Sequence, residues 1–213
     1  MVGVKTNRKT ITDKNFAVLA SGFGSNLQAT IDAVKRGDIK GKLALVVSDR
    51  RDAYALTRAC KAKIPSVFID PTIFADRESY GRELIRQLQT ADIQYIVLAG
   101  FMRILSEHFV KTFHNRIINV HPALLPSFRG SHAIADALAF GVKVTGVTIH
   151  LVDDKIDHGP IVSQEAVLIE PRDTLKTLEK KIHAVEHRIY PLAINLLVTG
   201  KLQVRGRRVI VKT

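Results

Sequence analysis

Asn119 and His121 stand two residues apart in IINVHPALLPSFRGSH (residues 117–132), a spacing that sends both side chains to one side of an extended chain. The two prolines of this stretch, Pro122 and Pro126, fix their own φ and bias their neighbours toward extended geometry, so the segment is rigid. An amide donor beside an imidazole suits the stabilisation of oxygen charge that develops when a carbonyl is attacked. Such a reaction also needs a base for the nucleophile's proton. Asp157, followed closely by Gly159 and Pro160, is the foremost candidate, with Asp153 and Asp154 as competitors on spacing. His132 and His150 lie scattered along the chain, and no set of ligands at metal-binding spacing surrounds the pair. Neither Ser127 nor Ser131 has the G-x-S-x-G setting of a hydrolase nucleophile. The following LLPSFRG reads as a turn that carries the chain away from the site.

A second constellation is SGFGSN (residues 21–26), between a strand-like run and a helical one. Free N–H groups and the helix dipole favour phosphate at such a helix start. Gly22 and Gly24 let the backbone approach closely, and Ser25 and Asn26 add side-chain donors. Asp49, after the second strand, has the place of a dinucleotide's ribose partner. However, Leu27 occupies the third glycine position of G-x-G-x-x-G, so a smaller phosphorylated ligand fits better.

Regular elements must hold these groups. FAVLA (16–20), KLALVVS, SVFID and YIVLAG (95–100) read as buried strands alternating with three helical segments. The first helix runs from Ser25 with Leu27, Ile31 and Val34 on one face and Gly37 as its C-cap. The second contains Cys60 and closes before Pro65, and the third spans DRESYGRELIRQLQ. RIINV, VTGVTIHLV and GPIVSQEAVLI continue as strands, with HAIADALAFG as a helix between the first two. A long helix over about 173–198 is expected to kink or break at Pro191, and KLQVRGRRVIVK closes as a hairpin around Gly206. The fold class is α/β, an open, mostly parallel twisted sheet flanked by helices.

The 213 residues, 46% of them hydrophobic, suit one sizeable domain. No apolar run reaches membrane-spanning length, and the N-terminus lacks a secretory h-region, so a cytoplasmic location is expected. Cys60, the single cysteine, is expected to be a buried free thiol. The net charge of +12 is concentrated at the ends: residues 1–15 carry +3 and residues 201–213 carry +5. Such tails read as solvated ends, so the charge does not make this a nucleic-acid binder. The absence of Trp, with only four Tyr, also weakens a base-stacking module.

In order, SGFGSNLQ (21–28), DRESYGRELI (76–85), VLAGFMRIL (97–105), NVHPALLP (119–126), GVTIHLVDDKIDHGPI (146–161) and EHRIYP (186–191) resemble the glycinamide ribonucleotide formyltransferases of purine synthesis. The resemblance covers residues 16 to about 200. It implies formyl transfer from 10-formyltetrahydrofolate, as cosubstrate, to the substrate amine, with no metal. It implies that Gly24, Ser25 and Asn26 bind the substrate phosphate and Glu186 the ribose hydroxyls. Met102, Arg103, Ile104 and Leu105 would line the folate pocket, Val152, Asp153 and Asp154 its loop, and Arg77 would approach the folate. Asn119, His121 and Asp157 match the catalytic trio: two oxyanion donors, and an aspartate that orients His121 and relays the amine proton. The expected organisation is a flexible basic segment over 1–15 and one domain over 16–213. Within it, 16–100 form a phosphate-binding half, 101–200 a folate-binding and catalytic half, and 201–213 the hairpin. Small-molecule substrates are expected, with no specific nucleic acid or membrane partner, and a monomer or homodimer.

Two departures stand out. Arg129 occupies a position where that family commonly has proline, and Phe23 replaces a usually polar or basic residue. Arg-Gly after LLP resembles methionyl-tRNA formyltransferases, the alternative reading. Those enzymes usually add a C-terminal RNA-binding domain and lack the Gly-Ser-Asn cradle. A degenerate binding module and a nicotinamide-dependent dehydrogenase are weaker readings.

Overall fold

The computed structural model describes residues 14–212. Most of the basic segment expected over 1–15 lies outside the described residues, but Asn15 already opens the first strand. The first half alternates as expected: β1 (Asn15–Leu19), α1 (Ser25–Arg36), β2 (Lys42–Ser48), α2 (Tyr54–Lys61), β3 (Ser66–Phe68), α3 (Arg77–Thr90) and β4 (Tyr95–Leu98). A short helix α4 (Glu107–Thr112) precedes β5 (Ile117–His121), α5 (Ala133–Phe140), β6 (Val144–Leu151) and β7 (Ile161–Leu168). The chain ends with α6 (Leu175–Val198) and the hairpin β8 (Leu202–Arg205) and β9 (Arg208–Val211). Sequence reading missed α4, whose six residues are too few to show helical periodicity. Ser106 caps it by accepting from the Phe109 N–H at 3.2 Å.

The nine strands of the described residues form one sheet in the order β3-β2-β1-β4-β5-β6-β7-β9-β8. The first five are parallel, and β6 and β7 then run antiparallel. Alternate residues of β1 enter two cores: Phe16 and Val18 pack with α1, α2 and α6, whereas Ala17 and Leu19 pack with α3 and α4. The chain order reverses beside β1, between β2 on one side and β4 on the other. At such a switch point the loops leaving the carboxyl ends of the strands open a crevice. Those loops are tied together here, because Ser21 Oγ accepts the Met102 N–H at 2.8 Å and the Ser21 N–H donates to the Gly100 carbonyl at 3.0 Å.

Helix α6 continues through Pro191 without the expected break. Its buried face, including Ile182, Tyr190 and Ile194, packs into the larger core, and that packing outweighs the lost backbone bond. Tyr190 is fully buried, with its hydroxyl 2.8 Å from the Leu98 carbonyl and 3.0 Å from the Ile118 carbonyl. One side chain thus bridges the ends of β4 and β5, directly behind Asn119. Cys60 corrects the expectation of a buried thiol: it is exposed at the end of α2. The inward face of that helix is Ala55 and Ala59, one turn apart, so the next residue turns outward. No helix among the described residues is long and apolar enough to cross a membrane.

Candidate active site

Strand β5 presents Ile118 and Val120 to the larger core, which leaves Asn119 and His121 on the opposite face. The antiparallel register sets Asn119 against His150 and His121 against Thr148. His150, set aside as scattered in the sequence reading, is therefore part of the cluster. Its Nδ1 lies 2.9 Å from the Leu151 carbonyl, which can only accept, so Nδ1 carries the proton. The Asn119 amide then donates to His150 Nε2 at 3.2 Å and keeps its second N–H for a ligand. The sequence signal was a second polar residue at the parity of Thr148 in VTGVTIHL.

His121 is buried, and its Nε2 donates to the Phe128 carbonyl at 2.8 Å. Its Nδ1 faces Asp157 Oδ2 at 3.4 Å, within ion-pair range. The single N–H of the neutral ring is thus already engaged. A second donor appears only when Nδ1 takes a proton. Burial pushes the His121 pKa down, against the Asp157 carboxylate and the Phe128 bond, and the net direction is below the ordinary value. Burial pushes the Asp157 carboxyl up. The positive charge that His150 or His121 carries when protonated, together with the Gly130 N–H, outweighs it and holds the carboxyl below its usual range.

The turn after His121 does not carry the chain away, as the sequence suggested. It folds back, delivering the Phe128 carbonyl to His121 and the Gly130 N–H to Asp157 Oδ2 at 2.9 Å. Thr148 pins its start, donating to the Ala123 carbonyl at 2.7 Å and accepting the Leu125 N–H at 3.0 Å. Gly130 has φ 97°, which a side chain would strain. Arg129 beside it is exposed, so its backbone neighbour takes part in the site while its side chain meets solvent.

The glycine loop opens α1 with its backbone N–H groups free of side-chain caps. Gly24, at φ 70°, is the N-cap. The Gly22 carbonyl accepts the Ala55 N–H at 3.1 Å and the Phe23 carbonyl accepts Arg58 Nε at 2.9 Å, so both carbonyls are held by α2. Arg58 also lies over the rings of Phe23 and Tyr54, at 4.5 and 4.9 Å. Asn26 is buried, and its amide donates to Glu186 Oε2 at 2.9 Å, leaving the backbone N–H as its contribution to the loop. His183 donates to the same oxygen at 2.9 Å. Glu186 in turn is close enough for its charge to act on His121. A buried carboxylate therefore ties α6 to the glycine loop.

Two clefts flank the loop, neither lined by Asn119, His121 or Asp157. One of about 430 Å³ is bordered by Ser25, Arg58 and His187. Another of about 620 Å³ lies between Gly22, Asp49, Met102 and Arg103. Met102 is 67% and Ile104 55% exposed on the loop after β4, an apolar strip suited to an apolar ligand face. Leu105 and Val152 pack together on the smaller core beneath it. Arg103 lies over the Tyr80 ring at 5.4 Å, and Arg77 is exposed one turn earlier on α3. Asp153 is engaged with the Lys155 N–H at 3.1 Å and His158 Nδ1 at 2.6 Å, while Asp154 is exposed. No group of three or more metal-ligating side chains occurs among the described residues.

The sequence profile of the formyl transferase family matches residues 14–194. The chain belongs to the formyl transferase family. A phosphoribosylglycinamide formyltransferase of Bacillus subtilis is 40% identical to this formyl transferase over 185 residues, 87% of this chain and 95% of the relative. The trifunctional purine biosynthetic protein adenosine-3 of Drosophila pseudoobscura pseudoobscura is 46% identical over 192 residues, 89% of this chain. The formyl transferase spans only 14% of that longer relative. Among solved structures, glycinamide ribonucleotide transformylase 1 from Symbiobacterium toebii superposes with a TM-score of 0.92 at 43% identity, covering 94% of this chain and 95% of the other.

Proposed function

We propose that this formyl transferase moves a formyl group from 10-formyltetrahydrofolate to the amine of 5-phosphoribosylglycinamide, a step of purine biosynthesis. The observation that carries this reading is Glu186, a buried carboxylate on α6 that accepts the Asn26 amide of the glycine loop. A substrate with its phosphate on the Gly24–Asn26 amides would thus have its ribose at Glu186 and its amine near the β5 cluster. The exposed strip of Met102 and Ile104, with Arg103, Leu105 and Val152, would receive the folate, and Arg77, Asp153 and Asp154 would border it. Residues 16–100 then serve phosphate, 101–200 serve folate and catalysis, and 201–213 form the hairpin. The enzyme acts on small molecules in the cytoplasm, as a monomer or homodimer.

The chemistry follows from the donors available. The unprotonated amine attacks the formyl carbon, and the free N–H of Asn119 stabilises the developing oxyanion. The amine proton passes to the His121 Nδ1 and Asp157 pair. The resulting imidazolium is favoured by the facing carboxylate, and its Nδ1–H supplies the second donor. As the bond from carbon to the folate nitrogen breaks, the same proton is delivered to that nitrogen.

The test is steady-state turnover of purified protein with both substrates, followed by folate absorbance. Turnover is expected, and Asp157→Asn should lower kcat by about 10²–10³-fold. Absence of turnover, alongside formylation of methionyl-tRNA, would overturn the reading.

A further inference from the structure

We infer that Arg207, on the C-terminal hairpin, is a positioning residue that holds the loop carrying Asp157. The loop between β6 and β7 spans residues 152–160, and Asp157 sits within it at φ 46°, a left-handed conformation that costs energy for any residue with a Cβ. Something must hold it there. His158, the next residue, is gripped at two points. Arg207 Nη2 donates to its carbonyl at 2.7 Å, and Nη1 lies against its ring, 3.3 Å from Nε2 and 3.5 Å from Nδ1. Asp153 lies 2.6 Å from His158 Nδ1. A carboxylate only accepts, so Nδ1 carries the proton, and the guanidinium rests against the imidazole instead of on one ring lone pair. Asp153 and Arg207 thus hold His158 from two directions, one at the ring N–H and the other at the carbonyl.

Arg207 is itself fixed. Arg208 pairs with Ile161 immediately beyond the loop, Lys212 N–H closes the hairpin on the Lys201 carbonyl at 2.8 Å, and Lys201 N–H joins it to Leu196 of α6 at 2.9 Å. On the far side of the loop, a Cβ at Gly159 would overlap the Leu151 carbonyl, so that end has no slack. The basic C-terminus, which reads from sequence as a solvated tail, thus contributes one arginine to the loop's geometry.

This inference rests on the proposed role of Asp157, and two measurements separate the claims. Amide hydrogen exchange of residues 153–159 should quicken in Arg207→Ala whatever the enzyme's activity, and unchanged exchange would overturn the inference. In the formyl-transfer assay, Arg207→Ala should lose about tenfold in kcat. It should also raise the donor KM several-fold. The ribonucleotide KM should stay within twofold, because four strands separate β9 from the glycine loop at β1. Arg207→Lys, with one point of contact in place of a planar fork, should recover part of the loss. It also carries the test if the Ala variant fails to fold. Arg205→Ala removes the same charge from the same hairpin and should behave as wild type. A Lys variant equal to wild type, or an equal loss in Arg205→Ala, would show that charge alone matters and overturn the two-point grip. Lack of turnover in the wild type would instead count against the proposed function.

Discussion

At the residue scale, the pair proposed to handle the proton, His121 and Asp157, would set the pH behaviour. Burial lowers the His121 pKa below its ordinary value of 6.5, while Asp157, held below the usual carboxylate range, stays charged across the same window. A ring that must accept the amine proton works when unprotonated. Activity is then present above the lowered pKa and lost as pH falls through it. The acid limb of kcat/KM should therefore bend below pH 6.5. Asp157→Asn removes the charge that favours the protonated ring, so any residual activity should bend at still lower pH. A wild-type limb centred above 6.5 would contradict the assignment. Sequence spacing identified Asn119, His121 and Asp157, because strand parity and a Gly-Pro loop are local signals. His150 escaped notice because its place depends on which residue of β5 it faces, and register is a property of two strands.

At the scale of elements, α2 shapes the glycine loop without supplying an anion ligand of its own. By holding the Gly22 and Phe23 carbonyls, it directs the loop's polarity, and Arg58 adds a positive charge beside the first turn of α1. Gly24 also has no room to change, since a Cβ there would lie 3.0 Å from that of Ala55. Arg58→Ala should raise the ribonucleotide KM about tenfold with a smaller effect on kcat, the signature of lost ground-state binding. Steady-state kinetics with the ribonucleotide varied will check this, and an unchanged KM would refute it. The helix was readable from its own pattern, but the reach of its Arg58 to Phe23, 35 residues upstream, was not. Phe23 shows the same limit: a departure from the family's usual residue becomes intelligible once Tyr54 and Arg58 pack on it, with the Phe23 and Tyr54 rings stacked 5.4 Å apart.

For the whole molecule, Tyr190 links the long helix to the sheet at the point where the chemistry is mounted. Burial raises its pKa and keeps the hydroxyl protonated, so one proton serves the Leu98 and Ile118 carbonyls. Tyr190→Phe leaves both buried carbonyls short of a donor and should cost about 2 kcal/mol. In a chain of this size that lowers Tm by roughly 4–8 °C, measurable by thermal denaturation. Because Ile118 adjoins Asn119, kcat should fall as well. An unaltered Tm would show that the bridge adds nothing to stability.

The alternation of strands and helices, the uncapped glycine turn and the order of motifs could be read without coordinates, since each depends on neighbours within a few residues. The fold class and the family followed from them. What needed the folded chain was every contact between distant segments: His150 against Asn119, the turn folding back onto His121, Glu186 beneath Asn26, Arg207 on His158, and the exposure of Cys60. Periodicity states which side of an element is apolar. It does not state what that side will meet, and the site's electrostatics arise from those meetings.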